Sequence, residues 1–213
     1  MPIDREQQGF CRKRKPLRIT YDWAAIVSNK SVWISTVLAL AAGTFAFGAK
    51  AESWTLTGKV IYASDGDTLV LMLDDYTKVN IRMSDIDAPE SGHGQKRPGQ
   101  PYSRVSMQSL SALAKGKLAT ATCYEIDNPK FNRPVCTVFV NGVNLNAEQV
   151  RQGLAWANRA NPRYLRDQQI LMLEQQARAS GRGIWSKDAP RPVEPWIWRD
   201  LCWKKNACTG AGE

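Results

Sequence analysis

Histidine is nearly absent from this sequence, and His93 is the only one among 213 residues. One histidine excludes, within a single chain, an acid–base pair of two histidines, a His-rich zinc site and an HExxH metalloprotease. The sequence also lacks Cys-x-x-Cys, the P-loop pattern GxxxxGK followed by Ser or Thr, and the nucleophile-elbow pattern GxSxG. Zinc ribbons, P-loop NTPases and α/β-hydrolases are therefore excluded as well. If the protein is an enzyme, carboxylates, arginines or a hard metal ion carry its chemistry.

The overall composition shows no extreme. With 43% hydrophobic and 23% charged residues, the chain reads as an ordinary globular protein rather than a disordered one. Its length corresponds to one domain plus additional segments. The formal net charge of +9 favours an anionic partner, either nucleic acid or an acidic membrane surface. However, residues 1–51 hold eight of the 29 basic and three of the 20 acidic residues, so 21 basic and 17 acidic residues remain.

The N-terminal segment has the three parts of an export signal. A basic cluster at residues 12–18 precedes an uncharged stretch at residues 32–47, and the sequence Ala-Lys-Ala ending at Ala51 is a cleavage pattern. We therefore predict that residues 1–51 are a signal peptide. An uncleaved membrane anchor is the first alternative, because residues 32–49 approach the ~20 residues that span a bilayer. A buried core helix is the second alternative.

The cysteines agree with export, to the periplasm or the exterior, where disulfides form. Cys11 lies in the presequence, which leaves an even set of four. Cys123 and Cys136 would face each other across a hairpin, and Cys202 and Cys208 would close a small loop near the C-terminus. The alternative is four reduced, buried thiols.

The hydrophobic pattern predicts five short strands, at residues 54–64, 68–73, 77–83, 117–124 and 135–140. It predicts helices over residues 102–115, 146–152 and 162–180. Five strands with a helix between the third and fourth indicate an α+β, mainly β, fold of the OB-barrel type. Residues 186–213 are rich in Pro and Trp and show no period.

Acidic residues lie near the ends of predicted strands. Asp67 and Asp87 would be neighbours in one sheet, where two carboxylates without a cation repel each other. A hard cation removes this conflict, and oxygen ligands favour Ca²⁺ or Mg²⁺ over Zn²⁺. Glu90, which follows the rigid Pro89, is placed to hold a water molecule near that metal.

Two arginines would complete a site for attack on a phosphodiester. Arg82 lies on the polar face of the third predicted strand, and Arg133 lies in the hairpin loop. A planar guanidinium group can hold a phosphate through two N–H groups. The plain alternative is a polar Asp-Gly-Asp turn with solvated arginines.

Five ordered blocks within residues 58–185 resemble the staphylococcal nuclease (thermonuclease) family. They are VIYASDGDT at residues 60–68, IRMSDIDAPE at 81–90, FNR at 131–133, VNL with VRQGLA at 143–145 and 150–155, and GIW at 183–185. The resemblance implies a five-stranded OB barrel with about three helices. It also implies Ca²⁺-dependent cleavage of DNA and RNA to 3′-phosphorylated products.

The resemblance further implies roles for single residues. Asp67 and Asp87 match the calcium-binding carboxylates of the family, and Ala88 would offer its backbone carbonyl to the metal. Glu90 matches the residue that orients or deprotonates the attacking water. The two arginines named above match those that hold the phosphate and stabilise the transition state.

The sequence departs from the family in the loop that carries Arg133. Phe131 and Asn132 stand where the family has Tyr-Gly. Phe131 can stack on a base but lacks the hydroxyl group, and Asn132 can adopt a left-handed turn. Lys130 and Phe131 are expected to bind the substrate. The cysteine pair that brackets this loop is similar to that of exported bacterial members.

The predicted organisation is therefore a signal peptide or N-terminal anchor at residues 1–51, a nuclease-like OB-barrel domain at 52–188, and a Pro/Trp-rich tail at 189–213. The expected function is that of an exported Ca²⁺-dependent, sugar-nonspecific endonuclease acting on DNA and RNA. Single strands are preferred in this hypothesis because attack needs an accessible backbone. Membrane contact is expected only if the signal stays uncleaved. The alternative is a catalytically inactive, nucleic-acid-binding OB module.

Overall fold

Short strands dominate the part of the chain that the computed structural model describes, residues 52–208. The strands are β1 (Trp54–Asp65), β2 (Thr68–Met72), β3 (Lys78–Met83), β4 (Ile86–Asp87), β5 (Leu118–Asn128), β6 (Arg133–Val140), β7 (Val143–Asn144) and β8 (Trp156–Ala157). The α-helices are α1 (Ser103–Ala114), α2 (Leu145–Arg151), α3 (Gln169–Ala179) and the single turn α4 (Pro195–Trp198). No helix within residues 52–208 has the length and apolar character that a membrane crossing requires. The predictions for residues 1–51 lie outside the described residues.

Five strands close into a barrel. Antiparallel pairing joins β3 to β2, β2 to β1, β1 to β5 and β5 to β6. Parallel pairing of β3 with β6 closes the barrel, with Arg82 opposite Val135 and Met83 opposite Cys136. Ile81 and Met83 are buried in the core while Arg82 between them is partly exposed, because successive side chains alternate between the two faces of a strand. The closed barrel confirms the predicted α+β, mainly β, OB-type fold.

The segment after β3 stays close to the barrel. Strand β4 pairs with β8 in a separate two-stranded ladder, in which Asp87 lies opposite Trp156.

Helices α1 and α2 begin and end within one residue of the predicted helices. Asn144 caps α2 by accepting a hydrogen bond of 3.1 Å from the backbone N–H of Ala147. The predicted core helices are therefore confirmed up to residue 152.

The helix predicted over residues 162–180 is wrong in its first part. Pro162–Tyr164 form a 3₁₀ turn, and α3 begins only at Gln169. The backbone N–H groups of Arg166 and Asp167 both donate to Oδ1 of Asp85, the second at 2.8 Å. These bonds hold residues 165–167, which connect the 3₁₀ turn to α3, in a non-helical conformation.

Two disulfides staple the described chain, as predicted. Cys123 and Cys136 are directly opposite each other on β5 and β6, with their Cα atoms 4.0 Å apart. Cys202 and Cys208 form the second bridge. The C-terminal segment, in which the sequence shows no period, nevertheless has regular structure. Its π-helical residues Arg199–Lys204 directly follow α4.

Candidate active site

The two candidate metal carboxylates are buried side by side. Asp87 is fully buried on β4, and Asp67, in the turn before β2, is 3% exposed. Oδ2 of Asp67 accepts a hydrogen bond of 3.0 Å from the backbone N–H of Ala88, and its Oδ1 accepts one of 2.9 Å from Thr68 Oγ1. The turn between β1 and β2 therefore lies directly against the end of β4.

Glycine at position 66 makes this close approach feasible. A Cβ atom there would lie 2.0 Å from Oγ of Ser106 on α1 and 2.7 Å from Cβ of Ala88. No side chain fits at that distance, so the turn can sit between the helix and the Ala88 segment only with glycine.

The neighbouring Asp65 has a shifted pKa. Burial and the charge of Asp67 raise the pKa of Asp65 to about 6, although Asp65 accepts a hydrogen bond from Ser91.

Arg82 joins the two aspartates. Its Nη2 lies 2.9 Å from Oδ1 of Asp87 and 3.5 Å from Oδ2 of Asp67. The charge of Asp67, and then that of Asp87, raises the pKa of Arg82 although burial opposes it. Nη2 of Arg82 is therefore contacted by one oxygen of Asp67 and one oxygen of Asp87.

Glu90 lies at the edge of this pair. Burial raises the pKa of its carboxyl to about 7; the charge of Arg199 opposes that shift, and the charges of Asp67 and Asp87 add to it. A carboxylate with a pKa near the working pH is suited to take a proton from water. Gln100 forms two hydrogen bonds with the backbone of Glu90. Its side-chain oxygen accepts from the Glu90 N–H at 3.2 Å, and its own backbone N–H donates to the Glu90 carbonyl at 2.8 Å.

Arg133 lines one cavity together with Arg82 and Glu90. It is the first residue of β6, and its guanidinium group pairs with Asp127. Asn132 before it has φ 45°, the left-handed conformation expected where the family has glycine. Lys130 is exposed in the 3₁₀ turn Pro129–Phe131, and the expected stacking of the Phe131 side chain lies outside the described atoms.

A cavity of about 450 Å³ brings these groups together. Its lining includes Arg82, Glu90 and Arg133, together with aromatic rings. Its further arginines are Arg97, Arg166 and Arg199. The lining also holds the acidic residues Asp85, Glu90, Glu125 and Asp127, so the cavity presents guanidinium groups that are largely paired with carboxylates.

Arg199, from the C-terminal segment, also belongs to the site, although its local sequence did not predict this. Its Nη2 donates to Oδ2 of Asp87 at 2.7 Å and its Nη1 to Oδ1 at 3.1 Å, while Nη1 also donates to Glu90. The residue lies more than a hundred positions beyond both carboxylates, so no local spacing could indicate the contact. The cluster of tryptophans around it was the only signal.

Among residues 52–208, no three His, Cys, Asp or Glu side chains form a group that could hold a metal ion. The buried carboxylates of Asp67 and Asp87 are nevertheless close to each other, and both of them face arginine side chains. Carboxylates are hard oxygen donors, and these two already surround one cationic nitrogen of Arg82. Such donors fit a hard divalent cation, either Ca²⁺ or Mg²⁺.

Comparison with known proteins identifies several relatives. The model of the family described as "Staphylococcal nuclease homologue" matches residues 80–187. An "Uncharacterized endonuclease" of Escherichia coli O157:H7 is 38% identical over 143 residues, which are 67% of this chain and 84% of that protein. "Protein ParB" of Escherichia coli is 37% identical over 153 residues, 68% and 79% of the two chains. "Micrococcal nuclease" of Shigella flexneri is 32% identical over 151 residues, 67% and 79%.

Proposed function

Because the chain belongs to the staphylococcal nuclease family and is a nuclease that hydrolyses phosphodiester bonds, we propose that it is an exported, Ca²⁺-dependent endonuclease acting on both DNA and RNA. The observation that carries the proposal is the convergence of Asp67 and Asp87 on one nitrogen of Arg82, within 3.5 Å of an oxygen from each. Two buried carboxylates at such close range favour a divalent cation as their ligand.

In this proposal, Asp67, Asp87 and the carbonyl of Ala88 hold Ca²⁺, which supplies positive charge to the phosphate when bound. Glu90 accepts the proton of the attacking water, because it lies next to Asp87, with which it shares the Nη1 group of Arg199, and lines the cavity that would receive the substrate. The hydroxide formed from the water adds to phosphorus, the P–O bond to the 5′ oxygen breaks, and that oxygen takes up a proton from solvent water. The product then carries a 3′-phosphate.

The arginines bind and stabilise the phosphate. Arg82 and Arg133 line the same cavity, so both can face one phosphodiester group. Positive charge aimed at the developing negative charge of the transition state lowers the barrier. Contacts to phosphate carry no sequence information, which supports weak sequence specificity. Lys130 and Phe131 would contact the neighbouring nucleotide from the loop before β6.

The cavity supports a preference for single strands. It combines arginines with the aromatic rings of Tyr164 and Trp203, a combination that suits an unpaired, flexible backbone with exposed bases. A duplex would have to open or distort before its phosphates reached the buried carboxylates.

Export is supported by the two disulfides, which are compatible with an oxidising compartment. Residues 1–51 would be the cleaved signal, or residues 32–49 an uncleaved anchor that contacts the membrane. The nuclease domain then covers residues 52–188, and the Pro/Trp-rich tail covers 189–213. N-terminal sequencing of the exported protein tests this, because cleavage after Ala51 leaves Glu52 as the first residue.

The central experiment is a cleavage assay with the purified protein. Circular single-stranded DNA, plasmid DNA and RNA are incubated with Ca²⁺, with Mg²⁺, or with EGTA. We expect all three substrates to be cut with Ca²⁺, the single strand fastest, and none with EGTA. Phosphatase treatment should remove a 3′-phosphate from the products. Full activity in EGTA would contradict the metal requirement, and binding without cleavage would support the inactive module instead.

A further inference from the structure

The C-terminal segment inserts a guanidinium group between two carboxylates of the active site. Both oxygens of Asp87 accept hydrogen bonds from Arg199, at 2.7 and 3.1 Å, in a two-pronged arrangement. The same Nη1 also reaches Oε1 of Glu90, which leaves Oε2 outside this contact. Such charge-assisted, bidentate pairs fix the relative orientation of their groups more strictly than a single bond.

The segment that carries Arg199 is itself anchored close to Glu90. The indole N–H of Trp203 donates to the carbonyl of Pro98 at 3.0 Å, and Gln100 Nε2 donates to the carbonyl of Val193 at 2.6 Å. Gln100 is the residue that also grips the Glu90 backbone. The two hydrogen bonds therefore tie the loop after Glu90 to the C-terminal segment. Their partners in that segment, Val193 and Trp203, lie on either side of Arg199 in the sequence.

The core of the segment reinforces these anchors. Trp198 and Cys202 are buried in a small cluster with Val193, Trp203 and Cys208, and the Cys202–Cys208 disulfide lies within it. This cluster is separate from the main barrel core. A segment held by its own core, its own disulfide and two hydrogen bonds to the site presents Arg199 in a defined position.

Simple stabilisation does not account for this arrangement. Exposed ion pairs contribute little to stability, and burying a charged pair costs desolvation energy that the attraction must first offset. Here the partly exposed guanidinium group of Arg199 faces a fully buried aspartate and a cavity that would receive the substrate. Buried charges in such a place are more readily explained by orientation of reacting groups than by stability.

We propose that Arg199 is a positioning residue of the active site, whose guanidinium group holds the Glu90 carboxylate beside Asp87. The inference rests on the proposed function, because it assigns Arg199 to the residue that accepts a proton from water. Arg199 lies beyond residue 187, where the family match ends, so the site is completed by a segment outside the matched region. A base held in place by a rigid partner needs less reorganisation in the transition state.

The test compares Arg199→Ala, Arg199→Met and Arg199→Lys with the wild type at saturating Ca²⁺. We expect kcat to fall about 10- to 100-fold in the Ala and Met variants, with KM changed less than about threefold. The Lys variant should retain an intermediate kcat, because one ammonium group cannot reproduce the two-pronged contact. Lys204→Ala is the matched control, since it removes an exposed positive charge from the same segment and should leave kcat unchanged.

Two further measurements separate positioning from a merely structural role. Millimolar guanidinium added to Arg199→Ala should restore part of the lost kcat, whereas equal sodium should not. The affinity for a single-stranded oligonucleotide in EGTA should stay close to that of the wild type. Thermal unfolding of each variant shows whether it is folded, and the Met and Lys variants replace the Ala variant if that one is not.

The outcomes that would overturn the proposal are distinct. An unchanged kcat in folded variants would remove Arg199 from the site's chemistry. A raised kcat with a lower Ca²⁺ requirement would mean that Arg199 competes with the cation. A loss confined to oligonucleotide affinity and KM would make it a substrate-binding residue. An inactive wild type would contradict the proposed function itself, and this inference with it.

Discussion

The side-chain amide of Gln149 donates a hydrogen bond of 2.8 Å to the backbone carbonyl of Gly66. Gln149 is fully buried on α2, and the same nitrogen lies 3.0 Å from the carbonyl of Ser106 on α1. One amide thus connects both helices to the turn that presents Asp67. The carboxylate is held in place by the helical layer as well as by the barrel.

Replacement of this amide should weaken the turn. Gln149→Met keeps the side-chain volume but leaves two buried carbonyls without their donor, which should cost about 1–3 kcal/mol of unfolding free energy. Urea denaturation measures the loss. Gln176→Met, at an exposed position of α3, is the control and should change stability by less than about 0.5 kcal/mol. Equal effects of the two variants would contradict the role of Gln149.

Ca²⁺ should stabilise the folded protein. A ligand that binds only the native state at one hundred times its Kd adds about 2.7 kcal/mol, so the melting temperature should rise on adding Ca²⁺. Asp67→Asn and Asp87→Asn should abolish this rise, because each removes one of the two carboxylates proposed to bind the ion. Asp127→Asn, in the same cavity, should retain it. Calorimetric melting curves with and without EGTA provide the measurement, which does not depend on activity.

Glu90→Gln should remove the group that accepts the proton. The amide has nearly the same shape as the carboxyl group but cannot act as a base, so kcat should fall about 10²- to 10⁴-fold. Glu125→Gln is the matched control, because Glu125 lines the same cavity and pairs with Arg166 at 2.8 Å. Initial rates on single-stranded DNA at saturating Ca²⁺ give the comparison. A Glu90→Gln variant as active as the control would contradict the assignment of the base.

The Cys123–Cys136 disulfide should contribute most of the disulfide stabilisation. It joins residues 13 positions apart, against six for Cys202–Cys208. In the chain-entropy model, a loop of this size contributes about 3 kcal/mol, and shorter loops contribute less. The double variant Cys123→Ala/Cys136→Ala should therefore lose more stability in urea than Cys202→Ala/Cys208→Ala. The reverse order would show that entropy of the unfolded chain is not the main effect.

Acid should weaken the protein through Glu174. Burial alone would raise its pKa, but hydrogen bonds from Arg159 and Arg178 outweigh burial and hold the pKa below its ordinary value of 4.5. The unfolded chain therefore binds this proton at a higher pH than the folded protein does. The stabilisation is complete above the ordinary value and is lost as the pH falls through the lower folded pKa.

Glu174→Gln should accordingly lower stability at pH 7 and flatten its decline between about pH 5 and pH 3. Urea denaturation across this range gives the profile. Glu52→Gln, at an exposed position before β1, should leave the profile unchanged. A Glu174→Gln profile as steep as that of the wild type would assign the acid sensitivity to other carboxyl groups.

Much of the barrel could be predicted because its strands follow local rules. The alternation around Arg82 placed its side chain opposite the buried Ile81 and Met83. The two alternating runs that hold Cys123 and Cys136 predicted that these residues face each other across one hairpin, and the disulfide confirms it. These features depend only on residues near each other in sequence, where periodicity carries the information.

The features that could not be predicted depend on distant contacts. The early part of the third helix is lost because Asp85, about eighty residues earlier, captures the N–H groups of Arg166 and Asp167. Arg199 reaches Asp87 and Glu90 across more than a hundred residues. Neither contact leaves a period or a motif in the local sequence. Hydrogen bonds between side chains and distant parts of the chain form only when the chain folds, and they can then outweigh the local preference for a helix.

The parallel pairing of β3 with β6 also affects the chain while it is being made. This pair is non-local, so it forms only after β5 and β6 have been synthesised. Until β6 pairs with β3, Arg82 and Arg133 are not held together, and the cavity that both of them line is incomplete. Assembly of the cavity therefore has to wait until the chain has been synthesised at least as far as Val140, the end of β6.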